Sequence, residues 1–387
     1  MKCSGRAVST RERIEVEFDS VIQHVDPVLG PAADDGVWLA PGFIDLQVNG
    51  FAGVDYNSPK ALHDEIGRSI RTLFSTGVTR FFPTVITGAP EDMLGALRNL
   101  AAARESIEDG AAMEAFHVEG PHISPEDGPR GAHPAGWVRP PRLHEFQRWQ
   151  EAAQGHVRLV TLSPEWPGAL RYIEQLAREG VVTSIGHTRA TREQIQDAVS
   201  AGATLSTHLG NGAHAVLPRH PNYIWEQLAE DRLAASFIVD GIHLSDSFLR
   251  VALRAKGIER SILITDAVMP AMCAPGPYRL GAVEVELKDD QRVVMRGGAR
   301  LAGSSLRMDR GVDNLMRMAG LSLTEAVTMA TTNPARVGRV SGRQRGIQPG
   351  ERADLVRFRQ DDGRIRVLET FLSGRMVFSA ASGYPVF

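Results

Sequence analysis

Residues 157–208 read VRLVTLSPEWPGALRYIEQLAREGVVTSIGHTRATREQIQDAVSAGATLSTH, and this stretch decides the fold. Three short apolar, β-branched runs, Val157–Leu162, Val181–His187 and Thr204–His208, alternate with two amphipathic helical patterns, Ala169–Arg178 and Arg192–Ser200. Several of these runs are continuous in hydrophobicity, as parallel strands buried on both faces are. Moving outward, the same alternation continues. Val37–Val48, Val78–Ile86 and Ala115–Glu119 precede the stretch, Leu233–Asp240 and Ile262–Asp266 follow it, and Ala61–Ser75, Pro90–Arg104 and Ser245–Lys256 read as helices. Eight strands alternating with helices over about residues 40–340 predict an α/β fold, a (β/α)8 TIM barrel. A doubly wound open sheet shares the local pattern, but no Gly-rich phosphate turn follows the first strand here.

The flanks differ from the middle. Arg13–Phe18, Ser20–Val25, Ala353–Phe358, Arg364–Leu372 and Arg375–Ser379 read as strands, and neither flank is long enough for a core of its own. They are expected to combine into a small β-sandwich module of residues 1–40 and 342–387, beside a barrel of residues 41–341. No internal repeat appears, and irregular tracts are confined to loops such as Pro125–Pro141.

Composition narrows the function. The chain has 387 residues, 43 basic against 46 acidic side chains, and a formal charge of −3, which argues against a nucleic-acid partner. No run approaches the roughly 20 apolar residues of a membrane span, and no signal-peptide pattern opens the chain. Two distant cysteines, Cys3 and Cys273, form no disulfide framework or thiolate zinc cluster, so a soluble cytoplasmic protein is expected. Only four lysines occur, Lys2, Lys60, Lys256 and Lys288, which leaves lysine-centred chemistry little room. Twelve histidines leave many candidates for metal or acid–base work.

In a barrel, catalytic groups lie at the C-terminal strand ends. Those ends carry Gln47 and Asn49, then Glu119, His187, His208, His243 and Asp266. Ionisable residues ending successive apolar strands are costly if buried without partners, and a metal would supply one. Glu119, His187 and His208 give one carboxylate and two imidazoles, a set suited to a divalent metal with an open position for water. His117, His122, His214 and His220 read as supporting or loop residues, and His24, His63, His144 and His156 as carrying no chemistry.

These pieces together resemble the amidohydrolase superfamily and, within it, the N-acetylglucosamine-6-phosphate deacetylase family. The resemblance rests on Pro41-Gly-Phe-Ile-Asp-Leu-Gln-Val-Asn-Gly, Glu119-Gly-Pro, Gly186-His-Thr, Thr207-His-Leu and Thr265-Asp-Ala, in the family's order. Leu301-Ala-Gly-Ser-Ser, Thr332-Asn-Pro-Ala and the C-terminal Gly-Ile-Gln-Pro-Gly-Glu-Arg-Ala-Asp-Leu-Val extend it over most of the chain. It implies a metal on Glu119, His187 and His208, Asp266 as general acid–base, and His133 polarising the substrate carbonyl. It also implies substrate contacts from Asn211, Gly212 and Arg219 to a sugar phosphate, and from His243 to the sugar or phosphate.

Many superfamily members carry a His-x-His pair where this chain has Gln47 and Asn49, and no lysine ends a barrel strand to form a bridging carbamate. One divalent metal per subunit is therefore expected, zinc first, with iron or manganese suited to the same ligands. The implied reaction is removal of the N-acetyl group from N-acetylglucosamine-6-phosphate, by a homodimer with a small-molecule partner and no membrane or nucleic-acid role. Another N-acyl sugar, such as N-acetylgalactosamine-6-phosphate or an unphosphorylated compound, is the alternative substrate. A non-catalytic binding protein on the same barrel is the reading from a different class.

Overall fold

The computed structural model describes residues 1–28, 36–281 and 283–382. Its central sheet has eight parallel strands in sequence order. They are Phe43–Val48, Val78–Ile86, Phe116–Glu119, Val157–Leu162, Val182–Ile185, Ala203–Ser206, Ala234–Ile238 and Ser261–Ile264. Just beyond the first and last strands, the Asp266 N–H donates to the Gln47 carbonyl at 3.0 Å and the Asn49 N–H to the Ala267 carbonyl at 2.7 Å, which closes the expected barrel. Ile44, Leu46, Phe82, Leu159, Val182 and Leu205 fill its interior, while Phe43, Val118 and Val160 pack in the layer beneath the helices. Burial on both faces is the physical origin of the continuous apolar runs.

The helices follow from local sequence. Ala169–Arg178 buries Ala169, Tyr172, Ile173 and Leu176, an i, i+3, i+4, i+7 stripe. Arg192–Ala201 starts at a capping box in which Thr191 and Gln194 each accept the other's backbone N–H. Such a cap contributes about 1 kcal/mol and sets where the helix begins, with its N-cap Thr191 four residues after His187.

The run Val37–Val48 departs from expectation. It divides into Val37–Pro41, which joins the sheet of the chain ends, and Phe43–Val48, the first barrel strand. Gly42 sits at the pivot, where a β-carbon would fall 2.2 Å from Cγ2 of Thr79. No other residue type lets the two sheets approach so closely.

The end sheet has seven strands in the order Arg375–Ser379, Arg364–Leu372, Leu355–Asp361, Val37–Pro41, Lys2–Ala7, Arg13–Phe18 and Ile22–Pro27. It is antiparallel apart from the parallel pairing of Lys2–Ala7 with Val37–Pro41. Phe18 and Phe371, from strands far apart in that order, meet edge-to-face at 5.5 Å, so the sheet folds over a core of its own. Of the span expected for this module, residues 29–35 and 383–387 lie outside the described residues. The strand Lys2–Ala7 was not anticipated, because KCSGRA carries little β-branched signal.

A buried ion cluster joins this sheet to the barrel. Asp354 pairs with Arg80 Nε at 2.8 Å and Arg343 Nη1 at 2.7 Å, and accepts the Ser373 N–H at 2.7 Å. Burial pushes the Asp354 carboxyl up, but the Arg343 and Arg80 guanidiniums prevail and hold it at about 2.

A second unanticipated element follows the last barrel strand. Gly276–Leu280, Val283–Leu287 and Val293–Met295 form a small antiparallel sheet over the C-terminal rim. The alternation Val-Glu-Val-Glu-Leu was a readable signal for it. Among the described residues, no helix is long and apolar enough to cross a membrane.

Candidate active site

The C-terminal rim opens into a cleft of 620 Å³ whose walls include Asn49, Glu119, His133, His187, His208 and Asp266. Each arrives from a different strand end or loop, and the backbone bends to present three of them. His187, His208 and Asp266 all adopt left-handed conformations, with φ of 51°, 31° and 49°. That region costs a non-glycine residue about 1–2 kcal/mol, and such strain in three residues at one rim marks a functional site.

Glu119, on the third strand, is the hub. Its Oε1 lies 2.8 Å from His208 Nε2 and 3.4 Å from His187 Nε2, and accepts the Gln47 amide at 3.0 Å. Its Oε2 lies 3.9 Å from His133 Nε2. The ligand atoms of Glu119, His133 and His187 all fall within 4.8 Å of one another, all three residues being buried. His133 therefore enters the cluster from a loop that sequence reading placed nearer the substrate than the metal.

The hydrogen bonds argue for a cation here. The Pro129 carbonyl lies 2.8 Å from His187 Nδ1 and can only accept, so Nδ1 carries the proton. In the neutral ring, Nε2 then points a lone pair at the Glu119 carboxylate, an arrangement that a metal ion between them would satisfy. His208 Nδ1 is buried without a hydrogen-bond partner, and so is Asn49 Oδ1.

Asp266, at the end of the eighth strand, is held by two amides. Gln47 Nε2 donates to its Oδ1 at 3.0 Å and Asn49 Nδ2 at 2.7 Å. Gln47 thus bridges Asp266 and Glu119. Beneath them Asp45, wholly buried, accepts from Thr265 Oγ1 at 2.5 Å and so fixes the residue preceding Asp266.

The two carboxylates titrate apart. Burial pushes both up, but the neighbouring His187 and His208 rings take Glu119 well below the usual range. Asp266 is raised by burial and by the Glu119 charge to about 6. Burial and the neighbouring His187 lower His133 to about 3, so its ring is neutral near pH 7. Burial opposes the His208 cation too, yet the Glu119 contact leaves that group raised. Groups set apart in this way suit acid–base chemistry.

The expected substrate residues divide. Asn211, Gly212 and His243 line the cleft, whereas Arg219 lies exposed outside its lining. A β-carbon on Gly212 would sit 2.6 Å from His187 Nδ1, so only glycine fits against that ring. His243 is oriented by Asp240, whose Oδ2 lies 2.6 Å from Nδ1. His214 also reaches the cleft, whereas His117 and His122 are buried structural groups, bonded to Thr161 and the Arg139 carbonyl. Asp240, Asp45 and Arg300 belong to the site's framework and were not anticipated. Asp240, three residues before His243, and Asp45, inside the Pro41–Gly50 stretch, had a local signal.

The Amidohydrolase family model matches residues 38–377. N-acetylglucosamine-6-phosphate deacetylase of Vibrio furnissii is 32% identical over 93% of this chain and 87% of its own length. N-acetylgalactosamine-6-phosphate deacetylase of Escherichia coli O157:H7 is 31% identical over 92% of this chain and 93% of its own. The crystal structure of N-acetyl-D-glucosamine-6-phosphate deacetylase from Mycobacterium smegmatis superposes with a TM-score of 0.88 at 30% identity, covering 98% of this chain and 100% of that one. The chain belongs to the amidohydrolase family, in the branch that holds the N-acetylglucosamine-6-phosphate deacetylases.

Proposed function

We propose that this chain is a metal-dependent hydrolase that removes the N-acetyl group of N-acetylglucosamine-6-phosphate, giving glucosamine-6-phosphate and acetate. The observation that carries this reading is the coupling of Glu119 to Asp266 through Gln47, with His187 and His208 against the Glu119 carboxylate. One divalent ion, zinc first by its liking for mixed imidazole and carboxylate sites, is held by Glu119, His187 and His208. Such an ion supplies Lewis acidity that polarises the amide carbonyl and acidifies a water.

The protein's own residues do the rest. Asp266 takes the proton from the attacking water as the C–O bond forms, its raised basicity suiting that work near neutral pH. It then passes the proton to the departing nitrogen as the C–N bond breaks, because an amide nitrogen leaves poorly unprotonated. Neutral His133, whose Nδ1 meets the Thr87 hydroxyl at 2.8 Å, donates from Nε2 to the developing oxyanion. Gln47 and Asn49 keep the Asp266 carboxylate aimed at the reacting centre. Asn211, Gly212 and His243 bind the sugar phosphate.

Arg219, exposed on the same segment as Val216 and Trp225, is assigned to the sugar phosphate, and the protein to a homodimer. The protein works in the cytoplasm, and its division into an end module and a barrel falls at the Gly42 pivot and again near residue 342. The relative acting on N-acetylgalactosamine-6-phosphate favours that sugar as the second reading. The test is acetate release from both phosphorylated sugars and their unphosphorylated analogues, with metal content measured on the same sample. Turnover confined to unphosphorylated compounds overturns the phosphate assignment, and no acetate from any N-acyl compound overturns the enzyme.

A further inference from the structure

We infer that Arg300 and Asp127 are positioning residues for the metal centre. Together they hold the turn whose Pro129 carbonyl fixes His187 in the tautomer that leaves Nε2 free for a cation. The inference rests on the metal-centre reading above and deepens it.

Arg300 follows the small sheet inserted over the rim and closes a planar fork on the 127–131 turn. Its Nη1 and Nη2 donate to the two Asp127 carboxylate oxygens at 2.9 and 3.0 Å, and Nη1 also donates to the Gly131 carbonyl at 3.2 Å. Both ends of the turn are thus tied to one guanidinium. Arg130 adds a second tie from within, to Asp127 Oδ1 at 3.0 Å and the His133 carbonyl at 2.9 Å. The Gly131 N–H closes on the Gly128 carbonyl at 3.0 Å, and Pro129 lies inside the loop so formed. Ahead of it, Glu126 is anchored at 3.0 Å to both His214 and Arg189.

This scaffold presses on His187. The Pro129 carbonyl lies 2.8 Å from its Nδ1, and a β-carbon on Gly131 would come within 3.2 Å of its Cε1. Without that acceptor, the competing tautomer puts the proton on Nε2, where Glu119 Oε1 waits at 3.4 Å. An N–H there faces the cation with hydrogen where a lone pair is required. Arg300 and Asp127 touch neither Glu119 nor His187, and their side chains are 45% and 65% exposed. An exposed pair adds little to global stability, so its effect on metal binding can be separated from folding.

The zinc dissociation constant of the full chain, stripped of metal, is measured by competition with a chromophoric chelator. Arg300→Ala and Asp127→Ala are expected to weaken zinc binding about tenfold or more, as loss of a ligand's outer partner does, with unchanged thermal melts. Arg300→Lys keeps the charge without the fork and is expected to fall between. Nitrogen-15 spectra of the metal-free protein supply the second readout, with the His187 proton on Nδ1 in wild type and shifting toward Nε2 in the variants. This tautomer measurement on wild type stands even if a variant misfolds. Alanine variants that match wild type in zinc affinity, or a wild-type His187 protonated on Nε2, overturn the inference. Wild type that binds no zinc overturns the metal-centre reading and this one with it. Tight binding by wild type and variants alike overturns this one alone.

Discussion

The molecule buries two carboxylate clusters at opposite ends of its barrel strands, and they are built on opposite principles. At the junction with the end sheet, Asp354 faces two guanidiniums and a backbone N–H, so its charge is matched by permanent donors. At the C-terminal rim, Glu119 faces imidazoles, one of which turns a lone pair toward it, and Asp266 is kept near 6 by burial and a like charge. The first cluster is complete without a ligand. The second leaves His208 Nδ1 and Asn49 Oδ1 buried without a hydrogen-bond partner. Charge matching serves stability, and deliberate mismatch serves chemistry.

The difference can be broken experimentally, beginning where the effect is largest. Asp266→Asn preserves the shape and the amide contacts but removes the proton acceptor, so turnover should fall about 10²–10⁴-fold with metal content retained. A near-wild-type rate would remove Asp266 from the proton path. Asp354→Ala strands two buried arginines and should cost about 3–5 kcal/mol in chemical denaturation, while the folded fraction keeps its kcat/KM. Loss of activity in correctly folded protein would show that the junction is not separate from the site.

Metal removal should act in the reverse sense. Chelation should abolish turnover and lower the melting temperature, and zinc at about 100 times its Kd should restore about 2.7 kcal/mol. Alanine at His187 or His208 should cut metal occupancy by elemental analysis far more than His133→Ala. Equal losses at all three would make His133 a ligand.

The smallest effect is a pH window. The Asp354 pKa is depressed to about 2 in the folded state, so its stabilisation is fully present above its ordinary value near 3.8 and disappears as pH falls toward 2. Wild type should therefore lose roughly 2–3 kcal/mol between about pH 5 and pH 1, relative to an Asp354→Asn variant titrated in parallel. Identical acid profiles would show that the pair contributes no linkage.

Legibility of the two regions differs for a physical reason. The barrel strands, their helices and the residues ending them were readable, because burial on two faces writes itself into every few residues. Glu119, His187, His208 and Asp266 were visible as ionisable groups closing apolar runs. The end sheet was readable strand by strand except for Lys2–Ala7, and its fold-back over Phe18 and Phe371 was not. Asp354 lies in the C-terminal Gly346–Val356 motif but was given no role there, and nothing near it announces Arg80, 274 positions away.

By itself, the sequence determined the barrel, the ionisable residues that close several of its strands, and the lack of a His-x-His pair or a lysine at a strand end. Local composition is sufficient for those, since each depends on periodicity or residue type. Only the tertiary structure decided that Gly42 splits a continuous apolar run between two sheets. It alone brought His133 beside Glu119, and Arg300 across 173 positions to Asp127. These depend on strand register and loop closure, which place side chains within an ångström or two of one another, and no local pattern of residues carries that information.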